Sequence, residues 1–270
     1  MEKKKIKKKL KIYFHLRIAY NKNILNMPLV KSHRINFDQL EITEARENGN
    51  GGKTVYLNYQ GGMFKMQTPK MSMPYNMSVY DKGEYPKFSI DVAFRDLEDD
   101  YRVRGFHENM NDLQTEILQT ALENSKKWFS KTHKSIDVLS ALFTPLVKRS
   151  IDKETGEPDG RYADTMKFKL PVRDGKPTFV VTDFSDNVIE NPQLETLLTK
   201  ESKVQALLRC GGIWVIAGKF GCTWTIEKLR VESSSSAEGG LGGNNFIDED
   251  DSQDEDDEDE DSSDDDSDDE

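Results

Sequence analysis

Residues 164–181 read "DTMKFKLPVRDGKPTFVV", and the pattern of this stretch indicates how the chain folds. Apolar and basic residues alternate through its first half, with Met166, Phe168 and Leu170 on one side and Lys167 and Lys169 on the other. Strict alternation is typical of a β-strand that buries one face and exposes the other. The Asp-Gly pair that follows is a strong turn signal, so "TFVV" is predicted to pair back antiparallel. These features predict a β-rich fold.

Strand patterns continue on both sides of this stretch. The other predicted strands are "TVYLNYQ" (54–60) and "MFKMQ" (63–67), which flank a Gly-Gly turn, "YPKFSIDVAF" (85–94), "VQALLRC" (204–210), "GIWVIAGKF" (212–220) and "TWTIEKLRV" (223–231). In the last of these, the apolar phase shifts between Ile226 and Leu229. A shift of one residue predicts a β-bulge near Glu227 and Lys228.

One long helix interrupts the strands. It is predicted over Asn109–Phe129, where apolar residues recur at helical spacing: Leu113, Ile117, Ala121 and Trp128. Asn109 or Asn111 is expected to cap its first turn. A second helix is predicted from Ser135 to Phe143, ending before a proline, and "NPQLETLLTKES" predicts a short third one.

Charge is distributed unevenly along the chain. The total is −11, yet residues 248–270 contain eighteen Asp or Glu and no Lys or Arg, which leaves +7 for residues 1–247. The first twenty-six residues contribute +8 of that charge. The acidity therefore belongs to the last segment, which has too little apolar surface to offset the entropy of ordering and is expected to be disordered.

These shifts in composition divide the chain into four parts. Residues 1–26 form a basic N-terminal extension, which is expected to lie outside the native protein if Met27 is the start. One β-rich domain occupies residues 27–232. A Gly/Ser-rich linker follows over 233–247, and the acidic tail occupies 248–270.

Several function classes lose support from the sequence. The only cysteines are Cys210 and Cys222, and the four histidines are scattered at His15, His33, His107 and His133, so neither a disulfide framework nor a metal site is expected. No apolar run approaches the length of a membrane span. The chain has no phosphate-binding loop and no metalloprotease motif, which favours a binding protein without a cofactor over an enzyme.

Basic and aromatic residues are interleaved on the predicted strands, and this pattern favours nucleic-acid binding. Cations neutralise phosphates, and flat rings stack on unpaired bases of any sequence. The candidate DNA-binding residues are Lys82, Tyr85, Lys87, Lys167, Phe168, Lys169, Arg173, Lys176, Lys219 and Phe220. An alternative reading stays open, since rings on the apolar face of an alternating strand usually fill the core and exposed lysines often serve solubility.

In order along the chain, the motifs "GEYPKFSIDVAF", "DTMKFKLPVRDGKPTFVV" and "GKFGCTWTIEKLRVE" resemble the replication single-stranded DNA-binding protein family of the T-odd phages, and in particular its branch in large nucleocytoplasmic DNA viruses. The resemblance covers about Lys82 to Glu270. It implies an OB-fold, a Greek-key barrel, with the long helix packed against it. The phage proteins end their tails in an aromatic residue, whereas this chain ends in Asp-Asp-Glu.

The resemblance implies a sequence-tolerant protein that coats single-stranded DNA during viral replication, recombination or repair. Its tail, represented by Asp248, Asp256, Asp264 and Glu270, is expected to compete with DNA for the basic face and to recruit viral DNA polymerase and helicase–primase. A homodimer is implied, acting in a host-cell viral factory or nucleus and not secreted. The alternative is an acidic, histone-chaperone-like protein that binds basic proteins through the tail.

Overall fold

The structure, a computed structural model, describes residues 29–49, 51–83, 85–232 and 246–247. Its strands are β1 Leu29–Lys31, β2 Leu40–Ile42, β3 Arg46–Glu47, β4 Lys53–Val55, β5 Leu57–Tyr59, β6 Gly62–Met63, β7 Lys65–Gln67, β8 Met71–Ser72, β9 Ser78–Tyr80, β10 Lys87–Ala93, β11 Phe143–Thr144, β12 Thr165–Leu170, β13 Val172–Arg173, β14 Lys176–Pro177, β15 Val180–Thr182, β16 Lys203–Ile216 and β17 Lys219–Val231. Its helices are α1 Tyr101–Glu123, α2 Ser125–Phe129, α3 Ile136–Leu142 and α4 Leu194–Leu197, with a 3₁₀ turn at Phe37–Gln39. The described part is therefore mainly β, as the alternation predicted.

Five strands pair in a closed ring. β8 pairs antiparallel with β10, β10 with β12, and β16 with both β17 and β8. The ring closes through β12 and β17, which run parallel to each other. β7, which precedes β8 in the chain, also pairs antiparallel with β16, a few residues farther along that strand than β8. Closure of the ring leaves one side of each strand facing an enclosed core and the other facing outward.

The inner side of the ring forms the hydrophobic core. Ile90 and Val92 of β10, Phe168 of β12, Leu208 of β16 and Ile226 of β17 are all buried in a single apolar cluster. Each alternates with an outward-facing neighbour, as the sequence predicted for Lys167 and Lys169. Burial of an aromatic or aliphatic side chain contributes roughly 1.5–3 kcal/mol, so this inner row fixes which face of each strand is available for function.

Helix α1 begins at Tyr101, upstream of the predicted start, and ends at Glu123, so the helix predicted over Asn109–Phe129 is divided between α1 and α2. Its N-cap is Asp100, whose carboxylate accepts hydrogen bonds from the backbone N–H groups of Arg102 and Val103. The predicted cap residues Asn109 and Asn111 both lie inside the helix, so that prediction is wrong. The apolar stripe in fact continues upstream to Val103, but polar and glycine residues around it obscured the period. Helix α3, by contrast, begins after a Ser135 cap close to the predicted position.

Two features of strand pairing bear on the predictions. The bulge expected near Glu227 is confirmed, because Lys228 pairs with Leu207 while Ile226 pairs with Leu208. The hairpin expected from "RDGKP" is only two residue pairs deep, joining β13 to β14. Its continuation is wrong, since β15 leaves the hairpin and pairs in parallel with β17. β15 forms three residue pairs with the long final strand β17, and the short hairpin does not provide these pairs.

No helix in the described ranges is both long and apolar enough to cross a membrane.

Candidate nucleic-acid interface

An open groove of about 720 Å³ lies on the outer face of the ring, and we call it the strand-face groove. Its residues come from the β9–β10 hairpin, from β12, from residues 144–151 and from the facing ends of β16 and β17. Its lining includes Tyr80, Lys87, Asp91, Lys148, Ile151, Lys167, Lys169, Trp214, Cys222 and Thr223. Backbone pairings hold these elements together: Lys148 bridges to Thr165, and β11 pairs with the start of β17.

Lysines dominate the charge of the strand-face groove. Lys169 lies opposite Ser89 and Lys167 lies opposite Asp91 across the β10–β12 ladder. The Lys167 ammonium pairs with the Asp91 carboxylate at 2.7 Å, so part of its charge is already neutralised. No ion pair is found for Lys169 within the part of the chain that the structure describes. Lys169 is therefore better placed than Lys167 to neutralise an external anion.

Trp214 supplies a large flat ring to the strand-face groove. It is half-buried and lies opposite Gly221 on β17. A Cβ atom placed on Gly221 would come within 2.8 Å of the indole, so only glycine lets the ring lie this close to the strand. The strand beneath supports the ring, and its remaining surface lines the groove. A supported, partly exposed indole is a suitable platform for an unpaired base.

A bulge in β16 places Trp214 on the outer face. Up to Cys210, the even-numbered residues of β16 face the core, whereas Ile213 and Val215 do so afterwards. The register with β17 shifts between Cys210 and Ile213, which brackets Gly211 and Gly212. Strict alternation would have pointed Trp214 inward. Trp214 was not among the residues predicted to bind DNA, and the signal that could have revealed it is a Gly-Gly pair inside a strand pattern.

A second groove of about 770 Å³ continues from the first and shares Asp91, Lys148, Ile151, Thr165 and Lys167 with it. It adds two well-exposed rings, Tyr75 at 59% and Tyr162 at 69%. Its further basic residues are Arg149, Lys153 and Arg161, and its further acidic residues are Asp152, Glu154 and Asp159. Together the two grooves form a continuous surface that carries both rings and cations.

Two of the acidic residues in the second groove are engaged by their own loop. Backbone hydrogen bonds from Thr155 and Glu154 lower the pKa of Asp152. The hydroxyl of Ser150 donates to Asp159, and this bond, followed by one from the Arg161 backbone, lowers the pKa of Asp159. Both carboxylates are therefore ionised at neutral pH, and their hydrogen bonds hold the loop rather than an external ligand.

Cys222 lines the strand-face groove, and the buried Cys210 lies behind it. The Sγ atoms of Cys210 and Cys222 are 3.3 Å apart and both cysteines are free. The hydrogen bond that the Cys222 thiol shares with Cys210, together with burial, raises the pKa of Cys222 well above its ordinary value. Cys222 is accordingly a neutral thiol at physiological pH and adds no negative charge to the groove.

The structure brings three of the predicted DNA-binding residues together, since Lys87, Lys167 and Lys169 all line the strand-face groove. Lys82 and Tyr85 are exposed in the neighbouring β9–β10 loop. The other exposed candidates lie elsewhere: Arg173 and Lys176 on the β13–β14 hairpin and Lys219 at the β16–β17 turn.

Two predicted rings are part of the core. Phe168 is 1% exposed and Phe220 is 0% exposed. Phe220 packs against three aromatic residues, with ring centroids 6.3 Å from Trp128, 5.1 Å from Phe129 and 4.9 Å from Phe143. Neither ring has surface on which a base could stack, because both point from their strands into the core. The candidate interface is therefore defined without them.

The tail residues Asp248, Asp256, Asp264 and Glu270 lie outside the described residues, as does the basic extension over 1–26. Among the residues that the structure describes, no three histidine, cysteine or acidic side chains come together as metal ligands would.

Comparison with solved structures finds chains that are similar to this one. No family model and no curated protein matches it. Its fold is similar to that of gp2.5, a single-stranded DNA-binding protein of bacteriophage T7, with 14% identity over 67% of this chain and 92% of that chain and a TM-score of 0.41. It is also similar to the single-stranded DNA-binding protein of bacteriophage Enc34 in complex with single-stranded DNA, with 13% identity over 74% and 99% and a TM-score of 0.41. Because the sequence identities and TM-scores are this low, the function of the chain has to be judged from the chemistry of the grooves themselves.

Proposed function

We propose that this chain is a non-enzymatic, sequence-tolerant single-stranded DNA-binding protein acting in DNA replication, recombination or repair. The observation that carries the proposal is the strand-face groove, where Trp214 and Tyr80 lie among Lys87, Lys148 and Lys169. Stacking on a ring contributes roughly 1–3 kcal/mol per base, and each base type has a face to stack. The lysines supply the salt-dependent, sequence-independent part of the affinity.

The proposal includes an OB-fold. Taking β7–β8, β10, β12, β16 and β17 as strands one to five, the order around the ring is one, two, three, five, four and back to one. That order, with its single parallel contact between strands three and five, supports the assignment. OB-folds bind oligonucleotides on the face of strands two and three, which corresponds here to β10 and β12. The strand-face groove lies on that face.

Single strands are the ligand that this surface favours over duplex. The rings of the two grooves, Trp214, Tyr80, Tyr75 and Tyr162, line a concave surface. A base can stack on such rings only when its own face is free, which a paired and stacked duplex does not offer. No helix of the described residues protrudes from the grooves to enter a major groove, as duplex readers of the helical type require.

The acidic tail is proposed to compete with DNA for the basic surface and to recruit replication partners. Its composition supports this role, since eighteen acidic residues imitate the charge of a nucleic-acid strand. The viral assignment, the polymerase and helicase–primase partners, the homodimer and the location in a viral factory or host nucleus belong to the same proposal. They rest on the resemblance of the quoted motifs.

A titration of the full chain with single-stranded and duplex oligonucleotides of equal length tests the proposal. We expect a clear preference for single strands, little dependence on base composition and an affinity that falls with added salt. Equal affinity for both forms would refute the proposal. Binding to histones without binding to DNA would favour the chaperone-like alternative.

A further inference from the structure

Phe246 lies in the segment that the sequence assigned to the linker, yet it is packed onto the domain. Its side chain is only 6% exposed. The guanidinium carbon of Arg230 lies 4.0 Å from the ring centroid, and the Lys228 ammonium lies 4.8 Å from it. Two cations from one strand therefore face a single ring, an arrangement in which the ring quadrupole attracts both charges.

Ile247 is held through its backbone by one side chain. Its N–H donates to Oε1 of Gln67 at 2.7 Å, and its carbonyl oxygen accepts from Nε2 of Gln67 at 3.0 Å. The glutamine amide therefore satisfies both polar groups of this residue, as a neighbouring strand would. Two consecutive residues are thus fixed by different chemistry, one through its ring and one through its main chain.

The surface beneath these two residues is unusual for the outside of a barrel. Gln67, Leu207 and Lys228 are cross-strand neighbours on β7, β16 and β17, and Gln205 and Arg230 form the next row. Register partners point to the same side of a sheet. Although this is the outward side, Gln67 is 3% exposed, Gln205 1% and Lys228 4%.

Asp186 balances part of the buried charge on this surface. Asp186 forms two hydrogen bonds with the Arg230 guanidinium and lies 3.6 Å from the Lys228 ammonium. The Lys228 side chain is only 5% exposed, and this burial lowers its pKa. Charged side chains are seldom buried unless they are paired and covered, and here the ring of Phe246 is part of the cover.

The order of the strands gives the docked segment a direction. Phe246 lies on β17, and Ile247 lies on β7, with β16 between them. The next strand in the sheet is β1, where Lys31 is the register partner of Gln67. Gln67 also shares a small cleft with Lys31 and Arg102. The strand-face groove lies toward the opposite side of β17, on β12 and β10.

We propose that Phe246 and Ile247 form a tail clamp, which fixes the root of the acidic tail on the outer face of β7, β16 and β17 and directs it toward Lys31 and Arg102. Residues 248–251 are Asp, Glu, Asp and Asp, so acidic residues follow the clamp at once. Their attraction to Lys31, and to Arg102, whose guanidinium also pairs with Asp100, holds the proximal tail on this side, away from the strand-face groove.

The clamp shortens the tether of the tail, and this consequence rests on the proposed function. Without it, the tail would be attached at the end of β17 through residues 233–247. With it, the tail is attached at Ile247, and the twenty-three residues from 248 to 270 can span at most about 80 Å when fully extended. The distal tail then reaches the strand-face groove from a defined starting point on the same molecule.

Chemical footprinting of lysines in the full-length protein, without DNA, tests the clamp. An amine-reactive acetylating reagent should modify Lys228 slowly in the natural sequence and several-fold faster in Phe246→Ala, as measured by mass spectrometry of peptides. Lys219, which is exposed at the β16–β17 turn, is the internal control and should react equally in both. Gln67→Ala, which removes both backbone contacts of Ile247, should also raise the Lys228 rate. An unchanged Lys228 rate in both variants would overturn the clamp.

Removal of residues 248–270 tests the direction of the tail. The clamp itself remains, so Lys228 should stay protected while Lys31 becomes more reactive. If Lys148 and Lys169 gain reactivity and Lys31 does not, the tail root is directed to the strand-face groove and the proposed direction is wrong. Because neither footprint involves DNA, a failure of the DNA-binding proposal would leave these results unaffected and can be distinguished from a failure of the clamp.

Discussion

At the scale of single residues, Trp214 has the clearest expected effect on binding. Trp214→Ala should weaken the affinity for single-stranded DNA by roughly 1–3 kcal/mol, the contribution of one stacked base. The slope of affinity against salt should stay the same, because an indole neutralises no phosphate. Fluorescence anisotropy at several salt concentrations measures both quantities. Tyr56→Ala removes an exposed ring outside both grooves and is the matched control. Equal losses in the two variants would exclude Trp214 as a specific platform.

The lysines of the strand-face groove should show the opposite pattern. Replacing Lys148 and Lys169 with Ala is expected to reduce the log–log salt slope by about 1.4, at roughly 0.7 for each phosphate of a single strand that is no longer neutralised. The melting temperature should barely change, since neither ammonium is seen in an ion pair among the described residues. A double replacement of Lys126 and Lys131, both exposed outside the grooves, controls for net charge. An identical slope change in that control would show that the effect is not local.

At the scale of elements, helix α1 depends on its N-cap. Asp100→Ala should lower the free energy of unfolding by about 0.5–2 kcal/mol, while Asp100→Asn should keep most of it because asparagine is also a good cap. Burial acts against ionisation of Asp100, but hydrogen bonds from Arg102 outweigh it and hold the pKa of Asp100 below its ordinary value. A lowered folded-state pKa stabilises the fold above the unfolded-state pKa, and this stabilisation is lost as the pH falls. Urea unfolding at pH 7 and pH 3 should therefore show a smaller Asp100→Ala effect at the lower pH.

The bulge in β16 is a second element with a local requirement. Gly212 has φ +88°, and an added Cβ would lie 2.8 Å from the Val55 carbonyl oxygen. Gly218 also has a positive φ of +78°, but an added Cβ there meets open space. Alanine at either position incurs the left-handed penalty of roughly 1–2 kcal/mol. Gly212→Ala should destabilise the protein further and also weaken DNA binding, because the bulge orients Trp214. Equal stability and equal DNA affinity in the two variants would contradict this role for the bulge.

These elements show where pattern reading succeeds and where it fails. Alternation around Phe168 was sufficient to place Lys167 and Lys169 on the outer face, because a regular strand has only two sides. The same reasoning would place Trp214 on the inner face. One extra residue at the Gly-Gly bulge reverses the side of the sheet to which every later side chain of β16 points. The partner of β15 also depended on a distant strand, and no local turn signal contains that information. The docking of Phe246 depends on a surface assembled from three strands.

At the scale of the whole molecule, the inner and outer sides of the ring of strands have different roles. The apolar side chains of its strands fill the core, so their outer sides can carry unrelated surfaces. One outer side holds the strand-face groove, and another, across β17, holds the tail clamp. The net charge of −11 is the sum of two opposite parts. Residues 1–247 carry +7, and residues 248–270 form a polyanion that carries −18. Under the proposed function, this polyanion competes with DNA for the basic surface of the same chain.

Removing residues 248–270 tests that competition. A tethered segment can have an effective concentration in the millimolar range, so even a weak ionic contact would occupy the groove part of the time. The truncated protein should bind single-stranded DNA several-fold more tightly than the full chain at low salt. The gain should shrink as salt is added, because screening weakens the tail–groove contact. Replacing the eighteen acidic residues of the tail with Asn or Gln, at unchanged length, is the matched control and should reproduce the gain if charge is the cause. Equal affinity of all three proteins at low salt would leave the tail without a role at the groove.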